Sequence, residues 1–252
     1  MRISGSHALV TGGGTGVGRA IAETLAKAGA TVTICGRRRE PLDAAAAANP
    51  NIFVELADVT NEASVEQLYK RAEAARGPFS IVVANAGVAE SAPAHKTTLA
   101  QWNRIIAINL TGAFLTVRPA LAGMAKRGEG RIVFVASIAG LVGGAYIAPY
   151  VASKHGVVGL ARSLAIELAR TGVTSNAVCP GFVETEMLQQ SVDNIVAKTG
   201  RSAEEARASL VAGNPQGRFI QPDEVADAVL WLCGDNARSV NGQAIALSGG
   251  MP

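Results

Sequence analysis

Seven short apolar runs, rich in β-branched residues and each separated from the next by a stretch of helical spacing, pattern this chain from end to end. The strand-like runs fall at about 7–11, 31–35, 52–56, 80–84, 131–136, 174–179 and 242–247. Helical stretches occupy about 17–28, 39–48, 62–75, 99–127, 150–170 and 222–233. Runs such as IVVA at 81–84 and IVFVAS at 132–137 are almost continuously apolar, which suits strands covered on both faces. The alternation predicts an α/β fold: a doubly wound parallel sheet of about seven strands with helices on both faces, folded as a single domain over 1–252. Such a sheet takes its ligand at the carboxyl ends of its strands.

Composition agrees with a well-filled core and narrows the choice of partner. Hydrophobic residues make up 48% and charged residues 17% of the 252 positions, unlike a disordered chain. A formal charge of +3 with no long basic block argues against nucleic acid. The beginning of the chain lacks a charged-then-apolar leader, and no apolar run approaches the ~20 residues of a bilayer span, so neither export nor a membrane is expected. Cys35, Cys179 and Cys233 are odd in number and widely spaced, and read as reduced core thiols of a cytoplasmic protein. His7, His95 and His155 have no ligand-like spacing with one another or with cysteine, so no metal site is expected.

The first strand runs into Gly12, Gly13, Gly14, Gly16 and Gly18, after which Ile21, Leu25 and Ala28 recur at helical spacing. A glycine turn between a first strand and a helix lets the backbone approach a pyrophosphate at the helix N-terminus, a Rossmann-like signal for a dinucleotide. Far along the chain, Tyr150 and Lys154 stand four apart, on one face of a helix. A phenol ordinarily ionises near pH ~10; an ammonium beside it favours the phenolate and draws it toward service in proton transfer.

Together these segments resemble the short-chain dehydrogenase/reductase family, over essentially the whole chain and in the family's order. Thr11, Gly12, Gly16 and Gly18 match its TGxxxGxG turn, and Asn85-Ala86-Gly87 its NAG segment. Asn109 in INLTG, Ser137 in VFVASIAG, and Tyr150 with Lys154 match its catalytic set. Pro180, Gly181, Val183 and Thr185 match the PGxVxT segment that meets the nicotinamide. The chain departs in reading Ala84 where many members have a second asparagine. The resemblance implies an enzyme that moves a hydride between a nicotinamide cofactor and a ketone or secondary alcohol. Tyr150 would be general acid or base, and Lys154 would lower its pKa and hold the nicotinamide ribose. Ser137 would bind the substrate oxygen, and Asn109, in a locally opened helix, would position a water leading to Lys154.

Cofactor contacts are expected from Gly12, Thr15, Gly16, Val17, Gly18, Asn85, Ala86, Gly87, Tyr150, Lys154, Pro180, Gly181, Val183 and Thr185. Asp58, with Val59 alongside, would take the adenine amine. The second strand ends in GRRRE, where Gly36 stands in place of the acidic residue that would chelate an NAD ribose. Arg37, Arg38 and Arg39 follow, and guanidinium groups suit a 2′-phosphate, so NADP is expected over NAD, with Arg37 its chief ligand.

The nearest branch is that of 3-oxoacyl-carrier-protein reductases and their acyl-CoA relatives, which implies a 3-oxoacyl thioester substrate and an acyl carrier protein as possible partner. Lys126, Arg127, Arg131 and Arg170 would meet its acidic surface. The segment 184–213 reads as a substrate lid, and Tyr146 as a pocket wall. The resemblance also implies a homotetramer, supported by the apolar surplus of the 99–127 helix. The alternatives are a dehydrogenase of a small cyclic, aromatic or sugar alcohol, and a catalytically silent nucleotide-sensing regulator.

Overall fold

A computed structural model describes residues 2–251. Its sheet has seven strands, all parallel, in the order β3-β2-β1-β4-β5-β6-β7. They are β1 (His7–Thr11), β2 (Thr31–Gly36), β3 (Ile52–Leu56), β4 (Ile81–Ala84), β5 (Gly130–Val135), β6 (Val173–Pro180) and β7 (Ala244–Leu247). The helices are α1 (Gly16–Lys27), α2 (Arg39–Ala46), α3 (Glu62–Arg76), α4 (Leu99–Ile106), α5 (Gly112–Arg127), α6 (Ala148–Glu167), α7 (Glu186–Thr199), α8 (Ala203–Val211) and α9 (Pro222–Cys233).

The two-residue period of the strands divides the core. Leu9, Val82, Ile132, Phe134 and Ala177 face the layer of α3, α5 and α6, among Leu68, Val117 and Val158. Ala8, Val10, Ile81, Val83, Val133 and Val178 face the layer of α1, α2 and α9, among Ile21, Leu25, Leu42 and Val229. The chain runs from β1 toward β3 on one side of the sheet and from β4 toward β7 on the other. The connections after β1 and β4 therefore diverge, leaving a crevice at the carboxyl edge between them.

Two differences from the sequence pattern have local causes. The stretch 99–127 is not one regular helix: Ala107–Thr111 form a π-turn between α4 and α5, where the Gly112 N–H reaches back to the Ala107 carbonyl. The last strand starts at Ala244 rather than 242, because Gly242 takes φ +72°. The partly helical segment 184–213 agrees with its sequence pattern, folding as two helices, α7 and α8, each started by a side-chain cap from Thr185 and Ser202.

The expectation that nothing approaches a membrane span also needs correction. Leu99–Arg127 is long and apolar enough by length and composition, with mean hydropathy 1.5 over 18 residues. Ile105, Leu115, Val117 and Met124 on this helix are buried, so much of that apolar character is consumed by the core.

Candidate active site

The glycine turn after β1 forms one wall of a groove in the crevice. Gly12, Gly14 and Thr15 line it with Gly36, Arg37, Arg38, Pro41 and Leu42 beyond β2. Asp58 and Val59 after β3, and Ala86, Gly87 and Val88 after β4, complete it, with Ile108 from the π-turn. Several of these were not foreseen: Pro41, Leu42, Val88 and Ile108 carry no chemical signature in the sequence, and only the fold brings them to one place. Arg38 stood in the arginine run, and the structure separates its members. Arg37 and Arg38 face the groove, whereas Arg39 turns to Asp43 one helical turn on, at 3.5 Å.

Asp58 is half-buried, and burial alone pushes its carboxyl up. The Thr60 N–H and hydroxyl, at 2.9 and 2.7 Å from Oδ1, and the nearby Arg37 cation outweigh that and hold it below the ordinary range. It is therefore an anion that can accept a hydrogen bond.

Gly18 and Asn85 do not line the groove but stand behind its wall. Asn85 Nδ2 donates to the Thr11 carbonyl at 2.9 Å, and the Asn85 and Ala86 N–H groups both donate to Thr11 Oγ1 at 3.1 Å. A methyl on Gly18 would meet the Gly12 carbonyl oxygen at 2.2 Å and Asn85 Nδ2 at 2.5 Å. Gly18 thus allows α1 to sit against the turn, and Asn85 ties the turn to the end of β4. Val17 is the second residue of α1 and packs against the core on that face.

On the other side of the crevice Ser137, Tyr150 and Lys154 converge. Ser137 stands two residues past the end of β5, and its Oγ accepts the Ala139 N–H at 3.1 Å to start a 3-10 turn. Tyr150 and Lys154 lie in the first two turns of α6, which Pro149 helps to initiate. Lys154 is 5% exposed; its Nζ donates to the Val135 carbonyl at 2.8 Å and lies 5.6 Å from the centre of the Tyr150 ring. Burial brings Lys154 down to about 8, with the Cys179 sulfur opposing. Burial also pushes the half-buried Tyr150 phenol up, while the facing Ser137 hydroxyl opposes the rise. The expected lowering of the phenol by Lys154 is therefore not the governing influence in this arrangement. Desolvation governs, and Ser137 is the neighbour that acts the other way.

Asn109, on the π-turn, is 1% exposed. Its Oδ1 accepts the Val88 N–H and its Nδ2 donates to the Val88 carbonyl, both at 2.9 Å, with Ser153 Oγ at 3.1 Å. A methyl on Gly87 would lie 3.4 Å from Asn109 Oδ1 and 3.6 Å from Lys154 Nζ, so these two side chains flank the NAG turn.

Beyond β6, Pro180 and Gly181 lead into the segment that carries α7 and α8. The Gly181 N–H donates to Leu247 at 2.9 Å, Val183 bridges to Ile220, and the Glu184 N–H donates to Ile220 at 2.9 Å, closing a neck. Thr185 sits over the glycine turn: a methyl on Gly16 would meet its Cγ2 at 3.2 Å. From α8, Arg207 returns to Glu184 at 2.6 Å and stacks on Phe219. At the far end of α7, Lys198 Nζ donates to the Ser91 carbonyl at 2.8 Å, joining α7 to the loop after β4. Leu188 and Val192 are buried, whereas Phe182 and Met187 remain exposed. Tyr146 is 66% exposed, with φ +67°, and its carbonyl accepts the Ala92 N–H at 2.8 Å, so its backbone rather than its ring is fixed.

The basic set expected at the mouth is elsewhere. Lys126 and Arg127 end α5, Arg131 is the second residue of β5 and Arg170 precedes β6, all at the amino-terminal edge of the sheet. Arg131 is 3% exposed and donates to Gly130 at 2.8 Å, and Arg127 donates to Phe79 at 2.7 Å. The groove opens at the carboxyl edge, so within one chain these groups do not border it.

Comparison with known proteins matches residues 6–195 to the short chain dehydrogenase family. D-beta-hydroxybutyrate dehydrogenase of Cupriavidus necator is 39% identical, over 98% of this chain and 98% of its own. Cis-4-hydroxycyclohexanecarboxylate dehydrogenase of Sinomonas cyclohexanicum is 41% identical, over 96% and 95%. The 3-oxoacyl-[acyl-carrier-protein] reductase of Aquifex aeolicus is 36% identical, over 100% and 99%. Among solved structures, a variant of actinorhodin polyketide ketoreductase with NADPH superposes with a TM-score of 0.95 at 38% identity, covering 100% of this chain and 98% of the other.

Proposed function

This chain belongs to the short-chain dehydrogenase family, whose members are NAD(P)-dependent oxidoreductases of secondary alcohols and ketones, and we propose that it interconverts a 3-oxoacyl thioester and its 3-hydroxyacyl form with NADP. The observation that carries the reading is the meeting of Ser137, Tyr150 and Lys154 beside a groove walled by the glycine turn.

The groove fits the dinucleotide on its own geometry. Gly18, behind its wall, admits no side chain, and Gly14 lies against the start of α2, where a methyl would meet the Pro41 backbone at 3.1 Å. The α1 N-terminus can take the pyrophosphate, Asp58 the adenine amine, and Arg37 with Arg38 a 2′-phosphate. When bound there, the nicotinamide supplies or accepts the hydride. Pro180, Gly181, Val183 and Thr185 are assigned to hold its amide end.

Tyr150, with its phenol held in the protonated range, donates a proton to a carbonyl oxygen during reduction and recovers it for the reverse reaction. Ser137 Oγ orients that oxygen, and Lys154, cationic near neutral pH, steadies the negative charge that develops on the phenol. Asn109 fixes the Val88 backbone beside them.

Support for a 3-oxoacyl chemotype comes from two relatives, whose names place the reacting oxygen β to a carboxyl-derived carbon. The exposed apolar groups Phe182 and Met187 at the lid neck suit an acyl chain. The acyl group would arrive on coenzyme A or on an acyl carrier protein, in the cytoplasm, and the working form would be a homotetramer. The relative acting on a hydroxycyclohexane ring favours a second reading, a small cyclic alcohol.

NADPH consumption with acetoacetyl-CoA and with its carrier-bound analogue tests the first reading against oxidation of cyclic alcohols by NADP. Tyr150→Phe should retain NADPH binding and lose at least ~10²-fold in turnover. Turnover of cyclic alcohols alone would move the assignment to the second reading.

A further inference from the structure

Ser153 is 0% exposed, lies one residue before Lys154 and has no place in the roles above. Its Oγ donates to the Tyr150 carbonyl at 2.7 Å and accepts from Asn109 Nδ2 at 3.1 Å. A serine inside a helix often bonds a carbonyl one turn back, and alone that contact is a local matter of helix geometry. The second contact changes its meaning. Asn109 is itself held to both main-chain polar groups of Val88, and Val88 lines the cofactor groove. A continuous buried path therefore runs from the groove wall at Val88 through Asn109 and Ser153 to the backbone of the proton donor.

We infer that Ser153 is a positioning residue, which locks the first turn of α6 to the π-turn and so fixes where Tyr150 stands relative to the groove. The geometry leaves little slack. Asn109 spends its carbonyl on the Val88 N–H and its amide on Val88 and Ser153, so among the described residues no other side-chain hydrogen bond links the π-turn to the Tyr150 turn. Without the Ser153 hydroxyl, the Asn109 N–H aimed at α6 has no acceptor there, and the Tyr150 carbonyl loses its side-chain donor. The phenol then samples positions displaced from the substrate oxygen, and proton transfer slows while the groove itself is unaltered.

This inference rests on the assignment of Tyr150 as the proton donor, so Tyr150→Phe is assayed alongside. Ser153→Ala should lower kcat about tenfold, with the Kd for NADPH changed less than about twofold. Ser153→Thr, which keeps the hydroxyl, should recover most of the loss. Asn109→Ala combined with Ser153→Ala should turn over no more slowly than Asn109→Ala alone, because both break one path. Ser175→Ala, which removes a buried hydroxyl without a partner on β6, should leave kcat unchanged. If Ser153→Ala proves too unstable to assay, a Ser153→Cys variant is read in its place on the same scale. Parental kcat in the variant that folds, with only a lower melting temperature, overturns the inference, as does a full multiplication of the Asn109 and Ser153 effects. Undiminished turnover by Tyr150→Phe would instead bring down the catalytic assignment itself.

Discussion

A single methyl on Gly18 should disable the groove from behind, without touching the cofactor. The new carbon would lie 2.2 Å from the Gly12 carbonyl oxygen and 2.5 Å from Asn85 Nδ2. The first is backbone and cannot swing aside, and the distance is more than about 1 Å short of ordinary van der Waals contact. Relief requires α1 to move off the turn, and overpacking of this kind costs ~1–3 kcal/mol. Asn85 must also yield, loosening its bonds to Thr11 and Gly12 at 2.9 and 3.4 Å. A buried amide left short of a partner adds about 1–2 kcal/mol. The sum, ~2–5 kcal/mol, corresponds to a melting temperature lower by roughly 5–15 °C for a chain of this size. The N-terminus of α1 moves with the turn, so the Kd for NADPH should rise at least ~10-fold. Thermal unfolding and NADPH fluorescence titration measure both effects. Gly16→Ala is the comparison: its methyl would meet only the Thr185 side chain, at 3.2 Å, and its φ of +52° carries a strain of about 1 kcal/mol. Gly18→Ala melting within about 2 °C of the parent and binding NADPH as tightly would show that the turn has slack, and the argument from close approach would fail.

Arg37→Asp should raise the KM for NADPH at least ~10-fold and flatten or reverse the preference over NADH, since it sets a negative charge against a 2′-phosphate; parental preference for NADH would refute the arginine assignment. His7, held at 2.7 Å from the Gly77 carbonyl and 2.9 Å from Thr33 Oγ1, is lowered by burial from 6.5 to about 4. The unfolded chain therefore binds this proton first, so the contribution is present above pH 6.5 and about 3 kcal/mol of stability is lost as pH falls through 4. Denaturant unfolding across that window should show the loss, and His7→Gln should flatten it. Light scattering at micromolar concentration should give a tetramer, with Leu99, Trp102 and Phe114 still exposed on the single chain available to a second copy; a monomer would exclude it.

The strands were legible because burial on both faces leaves a local trace, a short apolar run, and the parallel order follows from the helices between them. The glycine turn and the Tyr150–Lys154 spacing are likewise local, since a tight turn and one helical turn of separation are set by a few consecutive residues. What the sequence could not determine depends on groups distant along the chain. The three arginines after β2 look equivalent as a string, and only the start of α2 decides that Arg39 turns away from the groove. Lys126, Arg127 and Arg170 are basic wherever they lie, but a helix that begins at the carboxyl edge of a parallel sheet must end at the other edge, which carries them away from the site. Tyr150 and Lys154 are near neighbours by spacing, yet the direction of their proton affinities is set by the depth at which the whole fold buries them. The path from Val88 through Asn109 and Ser153 to Tyr150 joins a strand end, a π-turn and a helix, and hydrogen bonds between elements so far apart in sequence exist only once the tertiary structure has closed around them.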